Sequence, residues 1–240
     1  MIKSIITILF IFIASTLFAQ SEKSSHLEIG VNALFWTPYD NHMKASNTLI
    51  RAHLQSPYIN AIPNLQGYGS CVTPSYHLNY YFKNFLGISL GFNYLTLINH
   101  LEYHDSFNST SGRLFTFHNE AHIYNIKLGY AGQSRKHSLI HLYYGIGLNY
   151  TPSYLLELNT TTNFLEQSVF TAHDFAFGLY VNSGLQIKLF KFTYLNLGME
   201  YTYIPKNVQY SAPPNNELEV KTNLGGIAGQ LGIAIKFLNY

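Results

Sequence analysis

The chain has 240 residues, a formal net charge of +2 and a single cysteine, Cys71. A balance so close to zero gives no basic field for nucleic acid, and one cysteine excludes an internal disulfide. Only 11% of residues are charged, against an ordinary ~25%, while aromatics reach 16% with 20 Tyr and 17 Phe, so this is not the composition of a charged soluble surface.

Lys3 precedes an apolar run from Ile5 to Phe18, and the small Ala19 follows it before Gln20. This pattern predicts a cleaved secretory signal peptide over residues 1–19, with 20–240 as one domain. The run is shorter than the ~20 residues of a spanning helix, and no later stretch is apolar enough to make one. No Cys stands at the cut, so a lipoprotein anchor is not expected.

Eight segments with a period of two follow, each with one oily face and one small or polar face. The first is Leu27 to Trp36, with Leu27, Ile29, Val31 and Phe35 opposite Glu28, Gly30 and Asn32. The second, about Cys71 to Phe82, sets Tyr76, Leu78, Tyr80 and Phe82 against His77, Asn79 and Tyr81. The third runs from Phe85 to about Asn99 and the fourth from about Asn119 to Tyr130, the latter with Lys127 on its polar face. The fifth, Leu139 to Tyr150, alternates most cleanly, with His141 and Tyr143 among its polar side. The sixth covers about Asp174 to Leu189, and the seventh covers Phe192 to Tyr203 with Glu200 on the polar side. In the eighth, the terminal stretch to Tyr240, Leu231, Ile233, Ile235 and Phe237 alternate with Gly232, Ala234 and Lys236.

The connections sort strictly. Lys83-Asn84, Ala131 to Ser138 and Phe190-Lys191 are short. Thr37 to about Ser70, Glu102 to His118, Thr151 to His173 and Ile204 to Asn223 are long. Short and long alternate along the chain, as tight periplasmic turns and long outer loops do in a transmembrane barrel. The expected fold is therefore all-β: an eight-stranded antiparallel up-and-down β-barrel crossing the outer membrane, with both termini in the periplasm. A soluble sandwich also alternates, but its outer faces carry charge and its loops are not sorted.

An interior of eight strands is just wide enough to be filled by side chains. The polar faces assign Glu28, His77, Lys127, His141, Glu200 and Lys236 to it. Glu28 starts the first strand and Lys236 nearly ends the last, so closure is expected to make them a pair.

The strand pattern, the loop alternation and the terminal Phe237 and Tyr240 resemble the small outer-membrane barrels of the OmpA and OmpX type. More broadly they resemble the family that includes PorT-like proteins. The resemblance covers residues 20–240. It implies that Leu231 to Tyr240, with Phe237 and Tyr240 as the aromatic signal, are read by the barrel-assembly machinery. Lys236 interrupts the usual terminal pattern, and Asn239 shifts Tyr240 out of step with Leu238. With no peptidoglycan-binding domain after the barrel, a wall-anchoring role is not implied.

The chemistry-bearing residues point less sharply. The eleven His include no HExxH and no Cys/His ligand spacing, so no metal, cofactor or catalytic residue is assigned. Glu102-Tyr103-His104-Asp105-Ser106, with Glu120 on the facing strand, is the one arrangement open to a lipid A-modifying enzyme. The first outer loop carries Trp36, Tyr39, Tyr58, Ile59, Ile62 and Leu65. The third carries Tyr154, Leu155, Leu156, Phe164, Leu165 and Phe170. These apolar loops either fold on one another or dock an envelope partner. The expected role is structural or interactive, including a subunit of an envelope or secretion complex, with outer-membrane lipid as surroundings and no nucleic acid. A lipid-modifying enzyme and a narrow channel are the alternatives.

Overall fold

The computed structural model describes residues 25–38, 70–83, 85–105, 113–134, 139–162, 166–212 and 216–238. The signal segment 1–19, Tyr240, and Tyr39, Tyr58, Ile59, Ile62, Leu65, Phe164 and Leu165 lie outside them. The described chain forms β1 (His26–Pro38), β2 (Cys71–Lys83), β3 (Leu86–Asp105), β4 (Arg113–Gln133), β5 (Ile140–Thr162), β6 (Glu166–Lys188), β7 (Thr193–Tyr203), β8 (Pro205–Ala212), β9 (Asn216–Asn223) and β10 (Gly226–Leu238).

Neighbours pair antiparallel in the order β5-β4-β3-β2-β1-β10-β7-β6, and β6 returns to β5. The wall thus closes on eight staves. β8 and β9 are not extra staves. Thr202 faces Gly226 and Pro205 faces Asn223, which is one unbroken register on either side of Ile204 and of Leu224-Gly225. β7 with β8, and β9 with β10, are each one long strand with a short interruption.

Three of the stretches read from sequence as long loops are therefore largely tall hairpins. β3 and β4 pair out to Asp105–Arg113, β5 and β6 out to Thr162–Glu166, and β8 and β9 out to Ala212–Asn216. Trp36, assigned to the first loop, is the inward-facing end of β1 and is 1% exposed. Tyr154 is likewise inside the wall of β5, and buried.

The burial pattern is inverted from that of a soluble protein. Ile29, Val31, Leu78, Ile88, Leu90, Phe92, Leu148, Phe177, Ile233 and Phe237 are exposed on the outside. Glu28, Asn32, Asn93, Asn125, Lys127, Asn149, Gln186, Asn196, Glu200 and Lys236 are buried inside. On β5 the outward apolar positions run from Ile140 to Tyr150. Ten residues at ~3.3 Å each, tilted by ~40°, span about 25 Å, which matches the apolar band of an outer-membrane barrel.

Small residues on the inner face make room for large ones. Gly129 and Gly147 face each other across β4 and β5 and form a seat for the buried ring of Tyr180. A Cβ on Gly147 would lie 2.3 Å from Leu128 O and 2.5 Å from Gly129 Cα, both backbone atoms that cannot swing aside. Gly147→Ala is expected to destabilise the barrel by about 1–3 kcal/mol through overpacking. A lower urea midpoint for loss of the heat-modifiable folded band on a gel checks this.

Candidate functional site

Among the described residues the lumen gathers the buried ionisable groups, and it has two layers. The periplasmic half is polar. Glu28, on β1, stands directly opposite Lys236 on β10 and Asn79 on β2. Lys236 Nζ lies 3.4 Å from Glu28 Oε2, and Gln186 Nε2 donates to the same oxygen at 3.0 Å. Asn79 Nδ2 donates to Oε1 at 2.9 Å, and His77 Nε2 is 3.4 Å from it. One buried carboxylate thus receives groups from β1's two neighbours and from β6 across the lumen. Lys236 also donates to Gln133 Oε1 at 2.7 Å and sits 4.3 Å from the centre of the Tyr194 ring.

The second charge pair is Lys127 on β4 with Glu200 on β7. These staves are not neighbours, so the pair bridges the lumen. Gln230 Nε2 and Thr202 Oγ1 donate to the remaining capacity of Glu200 at 3.1 and 3.2 Å, and Tyr143 OH donates to Gln230 Oε1 at 3.0 Å. All four lumen charges, Glu28, Lys127, Glu200 and Lys236, are at most 6% exposed. Buried charges persist only when paired and hydrogen-bonded, and these are. Of the carboxamides that complete the network, Asn79 was read on the polar face of its strand, whereas Gln133, Gln186 and Gln230 were not singled out from sequence, although each occupies an inward position of the same alternation.

Between the two pairs a cavity leaves about 40 Å³ for the centres of water molecules, room for about three. Gln186 Oε1 and Asn196 Oδ1 line it without a protein partner, so it suits water.

The outer half of the lumen is mainly apolar, although Thr73, Thr222, Asn223 and the Lys206–Asp174 pair share its height. Leu34, Trp36, Leu95, Leu97, Ala121, Ile123, Tyr154, Ile204, Val208, Leu224 and Ala228 are buried there, on the inner faces of β1, β3, β4, β5, β8 and β10 and at the two interruptions. This apolar layer lies between the polar layer and the outer mouth.

Glu120 does not lie opposite His104. Glu120 pairs with Ile98, whereas His104 pairs with Leu114, six residues and about 20 Å further along the strands. Glu120 instead meets its own neighbours on the outward face: His122 Nε2 lies 2.7 Å from Oε1, and His118 Nε2 is 3.6 Å from Oε2, beyond hydrogen-bond reach. Ser106 lies outside the described residues. Among the described residues no three His, Cys, Asp or Glu side chains are arranged to hold a metal ion. Phe237 stands exposed near the end of β10, facing Leu27.

A closed eight-stave wall, polar within and apolar without, with tight turns at one end and tall hairpins at the other, is the build of a small outer-membrane β-barrel. One solved structure shares it, and others are similar to a lower degree. OprG, an outer membrane protein from Pseudomonas aeruginosa, superposes with a TM-score of 0.54 at 13% identity, covering 91% of this chain and 97% of its own. Neisserial surface protein A gives 0.44 at 15% identity, covering 90% and 100%. A major outer membrane protein from Thermus thermophilus gives 0.46 at 10%, covering 89% and 99%. At 13% identity the likeness to OprG shows the fold alone. No protein-family model and no curated protein matches the sequence. The apolar band and the fold place the protein in an outer membrane.

Lys127→Met is expected to strand Glu200 as an unpaired buried charge and to cost about 3–5 kcal/mol. Lys127→Met with Glu200→Leu, which removes both charges, is expected to recover most of that loss. Urea unfolding of the three proteins in lipid vesicles, followed by tryptophan fluorescence, measures the difference.

Proposed function

We propose that the protein is a structural and interaction barrel of the outer membrane, working through its outer hairpins and not through its lumen. The observation that carries this reading is the filled interior. Glu28–Lys236 and Lys127–Glu200 hold the periplasmic half shut, and an apolar layer from Trp36, Leu97, Ile123 and Val208 lies above them. An ion that passed the Lys206–Asp174 pair near the mouth would still have to cross apolar side chains before the polar layer, which disfavours a channel. The tall hairpins, by contrast, raise ordered β-structure beyond the lipid band, where a partner in an envelope or secretion complex has access to it. Rigid paired strands lose less conformational freedom on binding than open loops do.

Two measurements test the reading. Reconstituted in a planar bilayer, the folded protein is expected to give no discrete conductance steps; steady steps would make it a channel. Tagged protein extracted in mild detergent is expected to bring down a stoichiometric envelope protein. That partner should be lost when the β5–β6 hairpin is trimmed to a turn above Leu155 and His173. A barrel that purifies alone would overturn the interaction role.

A further inference from the structure

The three short connections carry one sign of charge. Residues 83–85, 131–139 and 188–192 hold Lys83, Arg135, Lys136, Lys188 and Lys191, five of the chain's 14 Lys and Arg, and neither Asp nor Glu. The long outer stretches 37–70, 99–120, 151–174 and 204–223 hold nine of the 12 acids against five Lys and Arg. Charge is therefore sorted along the barrel axis, basic at the periplasmic end and acidic at the outer end. Arg135 and Lys136 lie outside the described residues, so the third connection carries the structural argument.

That connection is not built as a polar turn. Tight hairpins favour Gly, Asn and Asp, whereas this one reads Lys188-Leu189-Phe190-Lys191-Phe192. Leu189 N and Phe190 N both donate to Thr193 O, at 3.0 and 3.2 Å, and Lys188 N donates to Leu139 O at 2.8 Å. Leu189 continues the outward series of Leu185 and Ile187 by the same period of two, so the lipid-facing surface runs past the last paired residue of β6. Phe190, at the tip, is 71% exposed, and Leu139, at the foot of β5, is 74% exposed. Lys188 and Lys191 are exposed with them, and Lys191 Nζ lies 5.1 Å from the centre of the Phe192 ring. Among the described residues neither ammonium meets a carboxylate.

We propose that this turn is a binding site for the headgroups of anionic phospholipids in the periplasmic leaflet. Phe190 and Lys191 stand one and two residues, at ~3.3 Å each, beyond the last lipid-facing position, which sets them at headgroup depth, where aromatic rings collect. A lysine there lays its methylenes along apolar surface and keeps its ammonium among the phosphates. Two ammoniums beside an apolar tip fit a phosphate that carries acyl chains. A free phosphate would use the charge and leave Leu189 and Phe190 in water. The acidic excess of the outer stretches works against phosphate there, so the sorting of charge favours contact at this end.

A tryptophan at the tip tests this. Phe190→Trp is reconstituted in phosphatidylcholine vesicles with increasing fractions of brominated phosphatidylglycerol or, separately, of brominated phosphatidylcholine. Trp36, enclosed in the lumen, gives a background measured on the unsubstituted protein, and the heat-modifiable gel band checks folding. Brominated phosphatidylglycerol is expected to quench at a lower mole fraction than brominated phosphatidylcholine, by about fivefold for each lysine engaged. Raising NaCl from about 0.1 to about 1 M shortens the screening length from ~10 to ~3 Å and should remove most of that preference. Lys188→Gln with Lys191→Gln should remove it at low salt, while both lipids still quench. Without any tip variant, native mass spectrometry of the protein extracted from vesicles of equal phosphatidylglycerol and phosphatidylcholine should find phosphatidylglycerol enriched among the retained lipids. Equal quenching by the two lipids at low salt would overturn the proposal, as would a preference that survives the loss of both lysines. So would tip emission red-shifted as in water and indifferent to both lipids, because the turn would then stand free in the periplasm, where an acidic protein is the occupant its charge fits.

Discussion

A strand that crosses a bilayer finds no water for its N–H and C=O groups, and that constraint governs the rest of this molecule. The backbone must satisfy itself, so the sheet must close. β1 accepts β10 along the length of both, from His26–Leu238 to Pro38–Gly226, and no edge is left to lipid at that level. Closure on eight staves then fixes an interior too narrow for water in bulk but too wide to be left empty. Side chains fill it, and the period of two sends every second residue there. The inverted burial is thus a consequence of closure.

The same constraint explains where the wall departs from regularity. Above the lipid band, water is again available, and the ladder can be interrupted without the full cost of orphaned groups. The interruptions at Ile204 and at Leu224-Gly225 sit near the top of β7 and the foot of β10's outer extension, opposite each other in register. Asn223 serves two N–H groups there, and Lys206 serves a carbonyl. Side chains take over from the backbone just where the environment first allows it.

The fold was legible because alternation is dense in the lipid band. Leu27 to Phe35 and Ile140 to Tyr150 cannot be read any other way, and the sorting of short and long connections gives topology without any contact information. The tall hairpins were not legible. Asn159 to Thr162 is polar at every position, so the outer end of β5 shows no oily face even though it pairs with β6. Pro205 reads as a strand breaker, yet the register runs through it. Beyond the lipid, pairing is set by a neighbour's backbone and not by contrast between two faces. Within the site, charges are conspicuous in sequence and carboxamides are not. Gln186 and Gln230 matter only because Glu28 and Glu200 lie within reach across the lumen, a distance fixed by closure and not by local spacing.

The polar layer also bears on how closure is specified. The oily face of β10 would fit β1 acceptably in more than one register, since Leu231, Ile233 and Ile235 are interchangeable against lipid. A slip of one residue, however, would turn Lys236 outward, send Ile235 or Phe237 into the lumen, and leave Glu28 without its cation. Stranding that carboxylate would cost about 3–5 kcal/mol, more than any single apolar exchange on the outer face returns. Lys127 and Glu200 apply the same restriction between staves that never touch, so each pair limits the slips open to the other. The aliphatic exterior drives insertion without discriminating among registers. The few charges inside do the discriminating, and the apolar layer above them keeps out the water that would weaken their preference.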